Sequence, residues 1–336
     1  MAAFLQHAQR YYVAPDGTPS REIQNLECAV RTLAKLRGNR PTDRITIRDI
    51  LEVRQALVDA RETYKNGRRL QNGLSRRYVN AIVRRMKAVF RWGVEQRLVP
   101  ASTWHELSAL RGIPAGRGGV PDHPPVEAVP WSMVEPILPF LVPTIRDAVL
   151  VQWWSGMRPA ETLAMTRRQL DASGATWLYR LAQHKGTWRG RDRIVALGPK
   201  AQAILLPRLS LAPDTPMFSG RTAWNERRAA KRCARKTPAT KQMRNRDRRG
   251  ERHAETVAEQ LRVDEYRRAI HVACDQASVP RWSPHRLRHA AGTRIAKEIG
   301  IEAARAALGH TDVSTTRRYA AGADTAIAAD VAQRLG

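Results

Sequence analysis

At 336 residues, with an ordinary globular share of 43% hydrophobic side chains, the chain can bury two separate cores. Lys and Arg number 58 against 31 Asp and Glu, and the resulting charge of +27 draws polyanions in a salt-sensitive way, which makes nucleic acid the natural partner. No apolar run approaches the roughly 20 residues of a membrane span, and Cys28, Cys233 and Cys274 are too scattered for a zinc pattern or a disulfide framework.

MAAFLQHAQRYY lacks the basic and apolar regions of a signal peptide. The expected location is therefore soluble, reducing and cytoplasmic, associated with the nucleoid, with no membrane partner. Arginine dominates the basic set, which suits phosphate recognition better than generic solubility does.

In chain order, the first 110 residues read as helices. Ser20 is placed to cap a helix bearing Ile23, Leu26, Val30 and Leu33, and Gly38 stops it. Thr46 and Asp49 have the form of a capping box ahead of Ile50, Leu51, Leu57 and Val58. Ser75 opens the clearest helix, with Val79, Ile82, Val83, Met86, Val89, Phe90 and Val94 along one stripe. Arg76, Arg77, Arg84, Arg85, Lys87 and Arg91 lie largely off that stripe, either as a solvated basic face or as phosphate contacts. They are the candidate DNA-binding residues.

Residues 112 to 130 are rich in Gly and Pro and have no periodicity, which marks a linker. Two domains are expected: a helical one over 1–118, a linker at 119–130 and a second domain over 131–336. The second begins with helices over Trp131–Leu141 and Thr144–Trp154, the latter apolar enough to be buried. Strands follow at Thr176–Leu181 and Arg193–Leu197, joined by a polar turn holding His184 and Lys185. Residues 219–252 carry 13 basic against 3 acidic side chains and almost no large apolar ones. That stretch reads as a basic insertion unable to build a core, either a solvated linker or a DNA-tracking segment. A short terminal helix is expected at 323–335, with Ile327, Val331 and Leu335 on one side.

The chemistry is concentrated near the C-terminus. Ser283 and Pro284 are placed to start a helix on which His285, Arg288 and His289 share a face at i, i+3, i+4 spacing. A zinc-protease motif needs Glu directly after the first His, where Arg286 stands, and Arg288 repels a dication, so no metal is expected. Arg158 follows the buried helix, with Glu161 three residues on to brace its guanidinium. Arginines match phosphate oxygens, histidines move protons near neutral pH, and a tyrosine supplies a phenol nucleophile.

Taken together, Arg158, Lys185, His285, Arg288, His310 and Tyr319 stand in an order that resembles the tyrosine recombinase (phage integrase) family. That family shows an R-x-x-E turn, a hairpin lysine, an H-x-x-R helix, L-G-H, and a tyrosine nine residues after that last histidine; here the end of the pattern is LGHTDVSTTRRY. The resemblance is strong from about 130 to 322 and weaker over the N-terminal helices. It implies a mainly α fold with a small β-sheet or hairpin in the catalytic domain, built as a helical core-binding domain plus a mixed α/β catalytic domain. The short N-terminal extension leaves little room for an added arm-site domain.

The resemblance also implies a site-specific recombinase or integrase acting on double-stranded DNA, as a homodimer on one site and a tetramer in synapsis, with no cofactor. Tyr319 would attack the scissile phosphate to give a 3′-phosphotyrosine link and a free 5′-hydroxyl. Arg158 and Arg288 would hold the non-bridging oxygens, Lys185 (or His184 beside it) would protonate the leaving oxygen, His285 would assist the tyrosine proton and His310 would hydrogen-bond the phosphate. Glu161 and His289 are supporting residues. The terminal helix packs on its own domain or docks on a neighbouring protomer. Two other functions share part of the pattern: DNA relaxation of the type IB topoisomerase kind, and a non-catalytic DNA-binding regulator that has no need of Tyr319.

Overall fold

The computed structural model describes residues 1–14, 17–38, 40–60, 63–65, 68–70, 74–122, 124, 126–181, 193–238, 240–243, 245 and 256–310. The chain divides into two compact units, Met1–Pro125 and Val126–Gly336.

The first unit is helical: α1 (Ala2–Tyr11), α2 (Arg21–Arg37), α3 (Ile47–Asp59), α4 (Arg76–Glu95) and α5 (Ala101–Ala109), with a small antiparallel pair β1 (Thr63–Lys65) and β2 (Arg68–Leu70) between α3 and α4. Its helix starts are chemically specified. Ser20 accepts from the Glu22 N–H, Ser75 accepts from the Tyr78 N–H, and Thr46 and Asp49 form a complete capping box. On α4, Val79, Ile82, Val83, Met86, Val89 and Phe90 are buried at three- and four-residue steps, and most of them meet Leu33, Ile50, Val53 and Leu107 in one core.

The stretch read as linker is not free. Ile113 and Val120 belong to the same core, Asn80 holds both the N–H and the carbonyl of Ile113, and Arg76 binds Asp122. Gly and Pro here set turns on a packed surface instead of loosening it.

The second unit runs α6 (Trp131–Val134), α7 (Pro143–Ser155), α8 (Pro159–Leu163), β3 (Leu170–Asp171), β4 (Trp177–Arg180), β5 (Ile194–Leu197), α9 (Pro199–Leu205), α10 (Gly220–Cys233), α11 (Val263–Gln276), α12 (His285–Glu298) and α13 (Ile301–Leu308). The strands form one antiparallel sheet in the order β3-β4-β5, with Tyr179 opposite both Leu170 and Val195. Helix α7 is buried almost all round and is the axis of the unit. No described helix is long and apolar enough to cross a membrane.

Three local expectations need correction. The helix expected over Trp131–Leu141 is only one α-turn followed by a 3₁₀ stretch, Glu135–Phe140, because Pro136 and Pro139 remove donors and crowd the preceding carbonyls. Ser283 does not cap α12: Pro284 is the N-cap residue and no side chain accepts there. The beginning of the basic insertion does pack. Ser219 caps α10, Ala223 is buried, and Glu226 accepts from both the N–H and Oγ1 of Thr144 at 2.9 Å.

Candidate active site

The site is built where the ends of α7, α12 and α13 meet. Helix α7 stops at Gly156, which adopts a left-handed conformation (φ 67°, ψ 15°). A Cβ at 156 would lie 2.9 Å from Leu308 and 3.1 Å from Ala291, so glycine is required for the turn and for the close approach of both helices. Two residues later Arg158 takes the N-cap position of α8. Its N–H donates to Glu161 Oε2 at 2.9 Å and its Nη1 donates to Glu161 Oε1 at 2.6 Å. The bracing expected from the R-x-x-E spacing is therefore present as a two-point contact.

Glu161 is buried and serves a second guanidinium as well. Arg193, at the entry to β5, donates from Nε to Oε1 at 3.1 Å and from Nη2 to Oε2 at 3.3 Å. Tyr179 on β4 donates its hydroxyl to the Glu161 carbonyl at 3.1 Å. Burial pushes the Glu161 carboxyl up, but Arg193, then the Arg158 N–H and guanidinium, outweigh it and hold it below the ordinary carboxylate range. Burial and the neighbouring carboxylate raise the Tyr179 hydroxyl, which stays a donor.

Arg288 is 1% exposed. Its Nη1 donates to the Gly156 carbonyl at 2.9 Å and its Nη2 donates to the Leu308 carbonyl at 2.7 Å. The same Nη2 lies 3.0 Å from Nε2 of His310. A guanidinium has no acceptor, so His310 receives this bond at Nε2 and carries its ring proton at Nδ1. Gly309, left-handed at φ 62°, ends α13 and turns the chain so that His310 faces inward. His285 is exposed on the first turn of α12, His289 is buried, and their rings meet edge-on at 5.1 Å.

Gln152 ties these pieces together from below. Its Nε2 donates to the carbonyls of Met157 (3.1 Å) and Pro284 (3.0 Å), the residues just before Arg158 and His285. Its Oε1 accepts from the buried Tyr266 hydroxyl at 3.1 Å. Arg286, the residue that argues against zinc, is an anchor: it donates to the carbonyls of Glu127 and Ala128.

Of the expected site residues, the structure gathers Arg158, Glu161, Arg288 and His310, with His285 and His289 on the helix that carries Arg288. Lys185, His184 and Tyr319 lie outside the described residues, as do 323–335 and most of 239–255. Arg193 and Gln152 were not expected. Arg193 reads in sequence as the first residue of a strand, and Gln152 as one polar residue in an apolar helix; neither carries a local signal of its partners. Among the described residues, no three His, Cys, Asp or Glu side chains gather as a metal site.

In the first unit the six basic candidates divide. Arg76 is committed to Asp122 and the Ile113 carbonyl, Arg85 to both oxygens of Glu22, and Lys87 to the carbonyls of Ser108 and Leu110. Arg77, Arg84 and Arg91 are exposed at seven-residue steps along α4, with Arg91 also paired to Glu95.

Two guanidiniums thus share one buried carboxylate beside a buried arginine and a histidine, in a mainly helical two-unit chain. The family model for the phage integrase family matches residues 144–325, more than half of the chain, and the chain belongs to that family. Solved structures with the same fold include a lambda integrase fragment (75–356), a dimer bound to a COC′ core site. It shows 12% identity and a TM-score of 0.63 over 95% of this chain and 94% of that one. Tn1549 transposon integrase in complex with transposon right end DNA is similar at 16% identity and TM-score 0.60, over 95% and 92% of the two chains. XerH recombinase on a palindromic difH substrate gives 13% identity and TM-score 0.61, over 93% and 80%. No curated protein matches the chain in sequence.

Proposed function

We propose that the chain is a site-specific DNA recombinase that cuts and rejoins strands through a 3′-phosphotyrosine intermediate. The observation that carries this reading is the joint placement of Arg158 and Arg288. One is braced by Glu161 and open to solvent on 31% of its side chain; the other is locked to the Gly156 and Leu308 carbonyls. Two fixed guanidiniums suit the non-bridging oxygens of one phosphodiester and the charge that grows on them in the transition state.

The Tyr319 oxygen attacks phosphorus, the bond to the 5′-oxygen breaks, and Lys185 gives that oxygen its proton. His285 assists the tyrosine proton, and His310, oriented by Arg288, hydrogen-bonds the phosphate. The new phosphotyrosine bond preserves the energy of the old linkage, so a 5′-hydroxyl from another strand reseals it by the reverse path. Arg77, Arg84 and Arg91 are the phosphate contacts of the first unit. Two copies occupy one duplex site and four form the synapse, in keeping with the lambda integrase dimer seen on its core site.

The test is covalent trapping. Duplexes enriched from a random-sequence pool by repeated binding are nicked so that a short 5′-hydroxyl fragment escapes after cleavage, and adducts are resolved on a denaturing gel. Wild type is expected to form an adduct that Tyr319→Phe lacks. Binding without any wild-type adduct would instead identify a DNA-binding regulator.

A further inference from the structure

We infer that Arg193 is a positioning residue for strand cutting: it neutralises the inner side of Glu161 so that Arg158 keeps its charge for the phosphate, and its Nη1 wedges the turn carrying His310. This inference rests on the function proposed above. Glu161 alone with Arg158 makes a neutral pair, whose field falls off steeply beyond it; two guanidiniums around one carboxylate leave a net positive charge. The exposures say where that charge is available. The Arg193 and Glu161 side chains are each 5% exposed and Arg158 is 31% exposed, so Arg193 is the buried counter-charge and Arg158 the open one.

The second observation is independent of charge. Arg193 Nη1 is buried with no hydrogen-bond partner among the described residues. It occupies the space that a Cβ on residue 309 would take. Gly309 thus owes its identity to Arg193 as well as to its positive φ, and the R-x-x-E turn is braced against the L-G-H turn through a single guanidinium. The charged and polar groups placed on Glu161 are Arg158 from the N-cap of α8, Arg193 from just before β5 and the Tyr179 hydroxyl from β4, the last on its carbonyl.

The experiment compares wild type, Arg193→Lys, Arg193→Met and Arg193→Met/Glu161→Gln in single-turnover adduct formation on the enriched nicked duplex at saturating protein. Arg193→Met is expected to slow adduct formation about 100-fold. Arg193→Lys, which keeps the charge, should stay within about 10-fold of wild type, and the double variant should regain about 10-fold over Arg193→Met. All should bind the duplex within about threefold of wild type, since the effect lies in the transition state. A merely structural role would lower the fraction of folded protein and leave the single-turnover rate of the folded enzyme unchanged. The inference is overturned by an Arg193→Met enzyme as fast as wild type, by a double variant no faster than Arg193→Met, or by losses that track affinity.

Thermal unfolding from about pH 2 to pH 8 reads the pairing without any cleavage, which separates this inference from the function it rests on. Arg193→Met should be destabilised at neutral pH, less so at acid pH, and less so when Glu161→Gln is added. If wild type never forms an adduct, the proposed function fails by itself. Midpoints of Arg193→Met and wild type that differ equally at every pH then overturn the pairing as well.

Discussion

Glycine 309 illustrates how single residues here answer to two constraints at once. Alanine at 309 would meet a left-handed backbone, costing about 1–2 kcal/mol, and would overlap the Arg193 guanidinium. Gly309→Ala is therefore expected to lose more stability than strain alone accounts for, with adduct formation falling further than DNA affinity; thermal unfolding and trapping on one preparation check this. Gln152 answers to three constraints. Replacing it by Leu leaves the Met157 and Pro284 carbonyls and the Tyr266 hydroxyl buried without their partner. The expected cost is at least about 3 kcal/mol, since each of the three stranded groups costs about 1–3 kcal/mol, read as a shift in the denaturant midpoint. Glu161 gives a pH signature. Its carboxyl titrates lower in the folded chain than in the unfolded one, so its contribution is complete above about pH 4.3 and is lost as pH falls through the folded value. Wild type and Glu161→Gln should differ most in melting temperature at neutral pH and converge as the solution is acidified below about pH 4. The chemical types in the site were legible from spacing alone: Arg158 to Glu161, and His285 to Arg288. Gln152 and Arg193 were not, because their partners are 132 and 32 residues away along the chain and no local pattern records them.

Elements were legible where short-range chemistry decides them. The caps at Ser20, Thr46 and Ser75 and the apolar stripe of α4 use interactions three or four residues apart, which a linear reading sees. The exceptions have tertiary causes. The two-residue strand β3 exists only as a partner for β4, and α10 is held in part by a contact that spans 82 residues. That contact matters because α7 starts without a side-chain cap of its own: Val142 is its N-cap residue, and Glu226 accepts the orphan N–H of Thr144 from another helix. Glu226→Ala is expected to cost about 1–2 kcal/mol, the range of a lost N-cap, whereas Asn225→Ala next to it on the exposed side of α10 should cost almost nothing. Urea denaturation of the two variants side by side checks the difference.

Across the whole molecule, a formal charge of +27 announces a polyanion partner but does not say which cations meet it. The hydrogen bonds of the first unit supply that distinction. Arg85 is forked onto Glu22, and Arg76 donates from Nε to both oxygens of Asp122, so neither brings net charge to a phosphate without breaking an internal pair. Removing either is expected to act on stability first, because it strands a carboxylate. Arg77 and Arg84 stand exposed on the same helix. A side chain that neutralises a phosphate releases counterions, and the logarithm of affinity falls against the logarithm of salt by about 0.9 for each such contact. Arg77→Ala and Arg84→Ala should each reduce that slope by about 1 while leaving the melting temperature unchanged. Arg85→Ala should lower the melting temperature and leave the slope nearly as it was. Fluorescence anisotropy on one labelled duplex, from about 50 to 200 mM salt, separates the two outcomes. Slopes equal to that of wild type for both Arg77→Ala and Arg84→Ala would mean that these two arginines do not touch DNA and that the charge excess acts elsewhere.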